Sequence, residues 1–230
     1  FTQTITVVDD EAPVFTNPAD LTINCDESTD PSNTGMPTDL VDNCADAANL
    51  IVTFEDVSTQ GSDPSQCSFY TYTITRTWTV SDPCGNATTA VQVIDVEDVT
   101  APTPVCQDIT VALGPNGQVT ISANDINNGS FDNCAAEAEL TLSLDKTNFT
   151  CEDLGDNLVI LTVTDPCGNE AACMATVTVI DDQAPVVSCP NDVTINLDPG
   201  ACDVIYDFNI SATDNCEVTV TATPASGSVF

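Results

Sequence analysis

Asp9-Asp10-Glu11-Ala12-Pro13 has two later relatives in the chain, Asp98-Val99-Thr100-Ala101-Pro102 and Asp181-Asp182-Gln183-Ala184-Pro185. In front of each stands an alternating β-branched run: Ile5 to Val8, Val91 to Val96 and Val177 to Ile180. Strict alternation is the pattern of a half-buried strand, so each copy marks where a last strand hands over to a first one. The proline fixes φ, removes a donor and holds the residue before it extended, which stiffens the joint.

The interval is 89 residues from Asp9 to Asp98 and 83 from Asp98 to Asp181, the size of an immunoglobulin-like sandwich. The expected fold is therefore all-β: tandem immunoglobulin-like β-sandwich modules arranged end to end. Residues 1–8 read as the terminal strand of a preceding module, 9–97 as module 1, 98–180 as module 2 and 181–230 as an incomplete module 3, within a longer protein. In module 1 the strands are expected at Leu21 to Cys25, Leu50 to Phe54, Ser68 to Val80 and Thr89 to Val96, with Trp78 in the core. In module 2, Asp108 to Leu113 and Gln118 to Ser122 flank Gly114-Pro115-Asn116-Gly117 and read as a first hairpin; further strands are expected at Leu140 to Leu144, Asn157 to Thr164 and Ala172 to Ile180. Module 3 offers Asp192 to Leu197, Val204 to Phe208 and Val218 to Thr223.

Thirty-six acidic residues face only Arg76 and Lys146, with no histidine, for a formal net charge of -34. Such a surface repels nucleic acid and anionic membranes. It suits a chain whose partners are the neighbouring modules of the same long protein or a homo-oligomeric filament bundle. No apolar run of membrane length occurs, so no direct insertion is expected in this segment.

Twelve cysteines without a histidine point to disulfides and an extracellular, cell-surface setting rather than to mixed-ligand zinc. Cys106 and Cys189 lie five residues after the alanine of Ala-Pro, where module 1 has Asn17; Cys173 lies five after Gly168, where module 1 has Ala90. Counting thus pairs Cys106 with Cys173. It further pairs Cys44 with Cys67, Cys134 with Cys151, Cys25 with Cys84 and Cys202 with Cys216, and sends Cys189 beyond Phe230. Cys167 is left over, as a free thiol or as the sign of a different pairing.

Ala184-Pro185 with Cys189-Pro190, Gly200-Ala201-Cys202, Asp214-Asn215-Cys216, and Asp165-Pro166-Cys167-Gly168-Asn169 with Cys173 and Ala175-Thr176-Val177-Thr178-Val179 resembles the hyalin-repeat (HYR-like) immunoglobulin-type domain. Thr75-Arg76-Thr77-Trp78-Thr79 ahead of Asp-Pro-Cys-Gly-Asn is similar to repeats in giant secreted proteins of Bacteroidota. The resemblance implies an extracellular adhesin or filament exported by type IX secretion and used in attachment, gliding or cell-cell capture.

Chain direction gathers acids at one pole of each sandwich, because the Asp-Asn-Cys loop, the Asp-Pro-Cys-Gly-Asn loop and the joint all return there. The candidate metal ligands are Asp9, Asp10, Asp42, Asp82 and Asn86 in module 1; Asp98, Asp132, Asp165 and Asn169 in module 2; and Asp181, Asp182 and Asp214 in module 3. Carboxylates pressed together call for a hard cation, and oxygen-only ligation suits Ca²⁺. The competing reading is that Asp and Asn cap their own turns. Catalysis is not expected, since the acids recur at every joint instead of forming one pair across a cleft. Alternatives are modules that bind glycan or protein ligands, with Trp78, Tyr70 and Tyr72 as a stacking surface, or accessory modules of a secreted enzyme.

Overall fold

The computed structural model describes residues 1–230. The chain divides into two compact units, residues 1–104 with 129–142 and 162–171, and residues 105–128 with 143–161 and 172–230. The first unit contains the whole first sandwich together with the Asp132 and Asp165 loops.

The first sandwich is built from β1 (Val14–Thr16), β2 (Leu21–Asn24), the one-turn helix α1 (Pro31–Thr34), β3 (Thr38–Val41), β4 (Ile51–Ser58), β5 (Tyr72–Ser81) and β6 (Ala87–Glu97). One sheet has the order β2-β6-β5-β4 and the other pairs β1 with β3. β5 and β6 form a long hairpin from Tyr72 opposite Val96 to Ser81 opposite Ala87. β2 runs parallel to β6, with Leu21 opposite Ile94 and Asn24 opposite Glu97. Alternation on β5 and β6 buries Ile74, Arg76, Trp78 and Val80, and Gln92, Ile94 and Val96, as a half-buried strand requires.

Two of those inward residues are polar, and both are fully engaged. Arg76, 1% exposed, donates to both carboxylate oxygens of Asp56 at 2.8 Å, to Thr34 Oγ1 at 2.7 Å and to the Thr29 carbonyl at 2.8 Å. Its guanidinium lies 4.5 Å from the Phe54 ring centroid. Trp78 Nε1 donates to Gln92 Oε1 at 3.1 Å, and Gln92 Nε2 donates to the Thr34 carbonyl at 2.7 Å. Buried polar groups are tolerated when paired in this way, and the network anchors the end of α1 to the core at Thr34, the one buried residue of that helix.

The second sandwich comprises β7 (Ile109–Ala112), β8 (Gln118–Thr120), the one-turn helix α2 (Ala123–Ile126), β9 (Thr141–Leu144), β10 (Asn148–Thr150), β11 (Gly155–Thr164) and β12 (Glu170–Ile180). Its sheets are β7-β12-β11-β9 and β8 paired with β10. Both sandwiches are thus immunoglobulin-like, with the same sheet order. The expected hairpin across Gly114 to Gly117 does not form. β7 runs parallel to β12, while β8 pairs antiparallel with β10. The glycine turn therefore carries the chain from one sheet to the other. Residues 181–230 form β13 (Val186–Ser188), β14 (Ile205–Tyr206), β15 (Ser211–Thr213) and β16 (Ser228–Val229), pairing β13 with β15 and β14 with β16. Asp192 to Leu197 and Val218 to Thr223 are not strands; within residues 181–230 nothing stands beside the former in the role that β6 plays for β2.

Four disulfides form: Cys25–Cys134, Cys67–Cys167, Cys106–Cys173 and Cys151–Cys216. Four of the pairs expected by counting are corrected: Cys25 with Cys84, Cys44 with Cys67, Cys134 with Cys151, and Cys202 with Cys216. Cys44, Cys84, Cys189 and Cys202 are exposed free thiols, and Cys167 has a partner. Strand direction is the reason. Cys25 follows β2 and its N–H donates to the Glu97 carbonyl at the end of β6, 3.1 Å away. Cys84 lies in the turn before β6. The length of β6 separates them by ~30 Å at about 3.3 Å per residue, whereas a disulfide needs Cα atoms within about 7 Å. Cys44 and Cys67 sit at opposite ends of β5 in the same way, as do Cys134 and Cys151 relative to β11. Cys216 is taken by Cys151. Where module 1 lacks the equivalent of the Cys106–Cys173 bridge, the Asn17 side-chain amide donates to the Val91 carbonyl at 2.8 Å, so a hydrogen bond spans the same two segments.

Candidate metal centre

β6 ends at Glu97 and delivers Asp98 into the joint, where the side chain is 5% exposed. Its N–H donates to Thr71 Oγ1 at 3.1 Å, and Oδ1 receives the Thr100 N–H at 3.3 Å. Asp132 arrives from the loop after α2. Its Oδ2 accepts the N–H groups of Cys134 and Ala135, each at 2.9 Å, the local turn chemistry typical of aspartate. Asp165 arrives from the β11–β12 turn, closed by Gly168 at φ +88°, a conformation glycine adopts without strain. Oδ1 accepts the Asn169 N–H at 2.9 Å and Oδ2 the Asn169 side-chain amide at 2.8 Å.

Each of Asp98, Asp132 and Asp165 offers a carboxylate oxygen to a group whose members all lie within 4.8 Å of one another. Asp98 Oδ2 and Asp132 Oδ1 are buried and have no hydrogen-bond partner. Burial pushes the Asp98 carboxyl up to about 6; the Thr100 N–H opposes this, and the charges of Asp165, Asp132 and Asp26 add to it. Oxygens about 2.3–2.6 Å from a Ca²⁺ ion lie at most about 5 Å apart, so this group fits that ion. The sulfurs of Cys25 and Cys134 also stand beside Asp98, but they are bonded to each other. The donor set is left oxygen-only and hard, against zinc and for calcium.

The same construction occurs at the start of the first sandwich. Asp9, Asp42 and Asp82 form a second group within 4.8 Å. Asp42 Oδ2 accepts from the N–H groups of Cys44 and Ala45 at 2.9 and 2.7 Å, while its buried Oδ1 has no partner. Burial alone would raise the Asp82 carboxyl, yet the Asn86 side-chain amide and the N–H groups of Asn86, Gly85 and Cys84 hold it below the usual range. Burial, then the charge of Asp9, raises the thiols of Cys44 and Cys84.

Asn86 and Asn169 are placed as struts. Asn86 Nδ2 bridges Asp82 Oδ2 at 2.8 Å and the Asp9 carbonyl at 3.1 Å; Asn169 Nδ2 bridges Asp165 Oδ2 and the Asp98 carbonyl at 3.2 Å. Asp10 and Asp182 are exposed, and they lie outside both groups, as do Asp181 and Asp214. Asp181 and Asp214 instead accept the N–H groups of Gln183 at 3.1 Å and Asn215 at 2.8 Å. Trp78 and Tyr70 are buried, so the aromatic stacking surface is not formed.

Sequence reasoning missed how the acid loops are pinned. Cys134 follows Asp132 by two residues and Cys167 follows Asp165 by two, and both are bonded into the first sandwich, to Cys25 and Cys67. The shared Asp-x-Cys spacing, also present at Asp42-Asn43-Cys44, Asp82-Pro83-Cys84 and Asp214-Asn215-Cys216, was the available signal.

No helix is long and apolar enough to cross a membrane. No family model matches the sequence, and no curated protein matches it. Among solved structures, human protocadherin-24 EC1-2 is similar at 14% identity and a TM-score of 0.34, over 76% of this chain and 100% of that one. Human CDH23 EC21-23 is similar at 14% identity and 0.38, over 89% and 80%. Drosophila N-cadherin EC1-4 is similar at 14% identity and 0.31, over 74% of this chain and 50% of that one, so the chain spans half the length of that array. At this level the likenesses carry no inference about ligand or partner.

Proposed function

We propose that the chain is a structural segment of a long extracellular stalk, in which tandem sandwiches are joined covalently by disulfides and clamped by Ca²⁺ at their joints. The modules are those of residues 9–97, 98–180 and 181–230, and the stalk is of the hyalin-repeat adhesin or filament kind, set out from a bacterial cell surface for attachment, gliding or cell-cell capture. The observation that carries the reading is the pinning of both acid-bearing loops, through Cys134 and Cys167, to the preceding sandwich. A spacer needs joints that do not hinge. Here two covalent ties surround three carboxylates, two of which carry buried oxygens without partners.

Asp98, Asp132 and Asp165 are the proposed ligands at this joint, and Asp9, Asp42 and Asp82 at the preceding one, with Asn86 and Asn169 holding them in place. Extracellular modules bind Ca²⁺ with dissociation constants of ~10⁻⁴–10⁻³ M. The role is non-catalytic, and bundling of such stalks into a filament is compatible with the acidic faces when divalent ions screen them. The test is calorimetric melting of the full chain in millimolar Ca²⁺ and in chelator. A higher melting temperature with Ca²⁺, lost in Asp132→Asn, is the expected result; superimposable traces would remove the ion from the proposal.

A further inference from the structure

Alignment of Ala12-Pro13 on Ala101-Pro102, continued with gaps that superpose Asp42-Asn43-Cys44 on Asp132-Asn133-Cys134 and Asp82-Pro83-Cys84 on Asp165-Pro166-Cys167, matches Cys44 with Cys134 and Cys84 with Cys167, each two residues after an aspartate of its three-carboxylate group. Cys134 and Cys167 are bonded to Cys25 and Cys67 of the preceding sandwich, whereas Cys44 and Cys84 are exposed free thiols. The loops are built alike at the two ends. Cys44 N–H donates to Asp42 Oδ2 as Cys134 N–H does to Asp132 Oδ2, both at 2.9 Å. The Asn86 and Asn169 amides each tie the turn to the carbonyl of the joint aspartate. One end therefore shows, bonded, what the other end presents unbonded.

We infer that the pole of the first sandwich bearing Cys44 and Cys84 is a two-point covalent acceptor for the far end of another module of this kind, one that presents cysteines equivalent to Cys25 and Cys67. Cys44 takes the cysteine in the loop after the second strand; Cys84 takes the one in the 3-10 turn before the long hairpin. The same alignment sets Phe1 to Val8 on Ala90 to Glu97, with Gln3, Ile5 and Val7 matching the buried Gln92, Ile94 and Val96. That segment has the inward pattern of the last strand of the donor module. Each bond forms from two thiols: the S–S bond is made and two S–H bonds break, while a small-molecule disulfide such as oxidised glutathione takes up the two electrons and two protons, its own S–S bond breaking to give two thiols.

The partner assignment rests on the end-to-end stalk reading, and the test separates the two. Residues 9–89 are duplicated ahead of Phe1 in the full chain, so that Phe1 to Val8 becomes the last strand of the added module. The protein is refolded in a glutathione buffer and its disulfides are mapped by non-reducing peptide mass spectrometry. The expected result is Cys44 bonded to the added copy's Cys25 and Cys84 to the added copy's Cys67, both protected from iodoacetamide. Replacing those two donor cysteines by serine restores alkylation of Cys44 and Cys84. A Cys44–Cys84 bridge, or two alkylated thiols in a chain whose Cys25–Cys134 and Cys67–Cys167 bonds are intact, overturns this inference alone. Absence of those two bonds overturns the stalk reading and the inference with it.

Discussion

Asp98 is a buried carboxylate facing two others, and its titration fixes the sign of two effects. Its folded-state value of about 6 lies above the ordinary one of 3.8, so between those values the folded chain holds more protons than the unfolded one. Without metal, this group's contribution to stability is greatest at acid pH and is lost as pH rises from about 4 through about 6. Asp98→Asn removes the penalty. In chelator at neutral pH that variant is expected to melt above the parent, and in Ca²⁺ below it, because a ligand is gone. Ca²⁺ binding by the parent should weaken as pH falls below about 6, since the proton and the ion compete for the same oxygens. A titration series across that range reads this directly; affinity independent of pH would exclude Asp98 as a ligand. The identity of these acids was legible in the sequence because they recur with the joint. Their order of burial was not, since it depends on which loop oxygens face inward once the strands have set the loops down.

At the scale of the strand, β5 carries the one arginine of the chain into the core. The alternation Ile74, Arg76, Trp78, Val80 places position 76 on the inner face, but no spacing along the chain points to its partners. Asp56 lies opposite it on β4, and Thr29 and Thr34 come from α1 and the loop before it. The Asp56 side chain is 31% exposed, so loss of the arginine leaves that carboxylate partly solvated while the Thr34 hydroxyl and the Thr29 carbonyl lose their donor, a cost of about 1–3 kcal/mol. Arg76→Met is expected to lower unfolding stability by that amount in urea titration, and Arg76→Met with Asp56→Leu to recover part of it. If single and double variants lost equally, the loss would lie in packing against Phe54 and not in the ion pair. A second element-scale expectation concerns the missing bridge of the first sandwich. Asn17 and Ala90 occupy the places of Cys106 and Cys173, so Asn17→Cys with Ala90→Cys should oxidise to a disulfide and raise stability by about 2–4 kcal/mol. Within residues 9–180 most strand positions and the sheet class were readable from alternation, whereas Asp192 to Leu197 and Val218 to Thr223 alternate without forming strands; the switch of sheets between β7 and β8 was not readable, because a turn of Gly114 to Gly117 suits a hairpin and a crossing equally.

At the scale of the whole molecule, connectivity decides what the joints can do, and counting within a repeat misread it because a disulfide joins neighbours in space. The Cys25–Cys134 and Cys67–Cys167 bridges span 109 and 100 residues, and closing loops of about 100 residues removes unfolded-state entropy worth about 4–5 kcal/mol each in the chain-entropy account. Their second effect is local. Each holds an aspartate two residues away, so the three carboxylates are brought together before any ion arrives. Preorganisation of this kind raises affinity by reducing the ordering cost of binding. A variant with serine at Cys25, Cys67, Cys134 and Cys167 is therefore expected to bind Ca²⁺ about tenfold more weakly or worse, since losing ~1.4 kcal/mol of preorganisation is enough for that factor. Serine at Cys106 and Cys173 removes a bridge within the second sandwich that pins neither acid loop; it should lower the melting temperature in chelator while leaving Ca²⁺ affinity unchanged. Isothermal titration of the two variants beside the parent separates the cases. Equal affinities in all three would mean that strand packing alone sets the carboxylates, with the bridges serving only to tie one sandwich to the next.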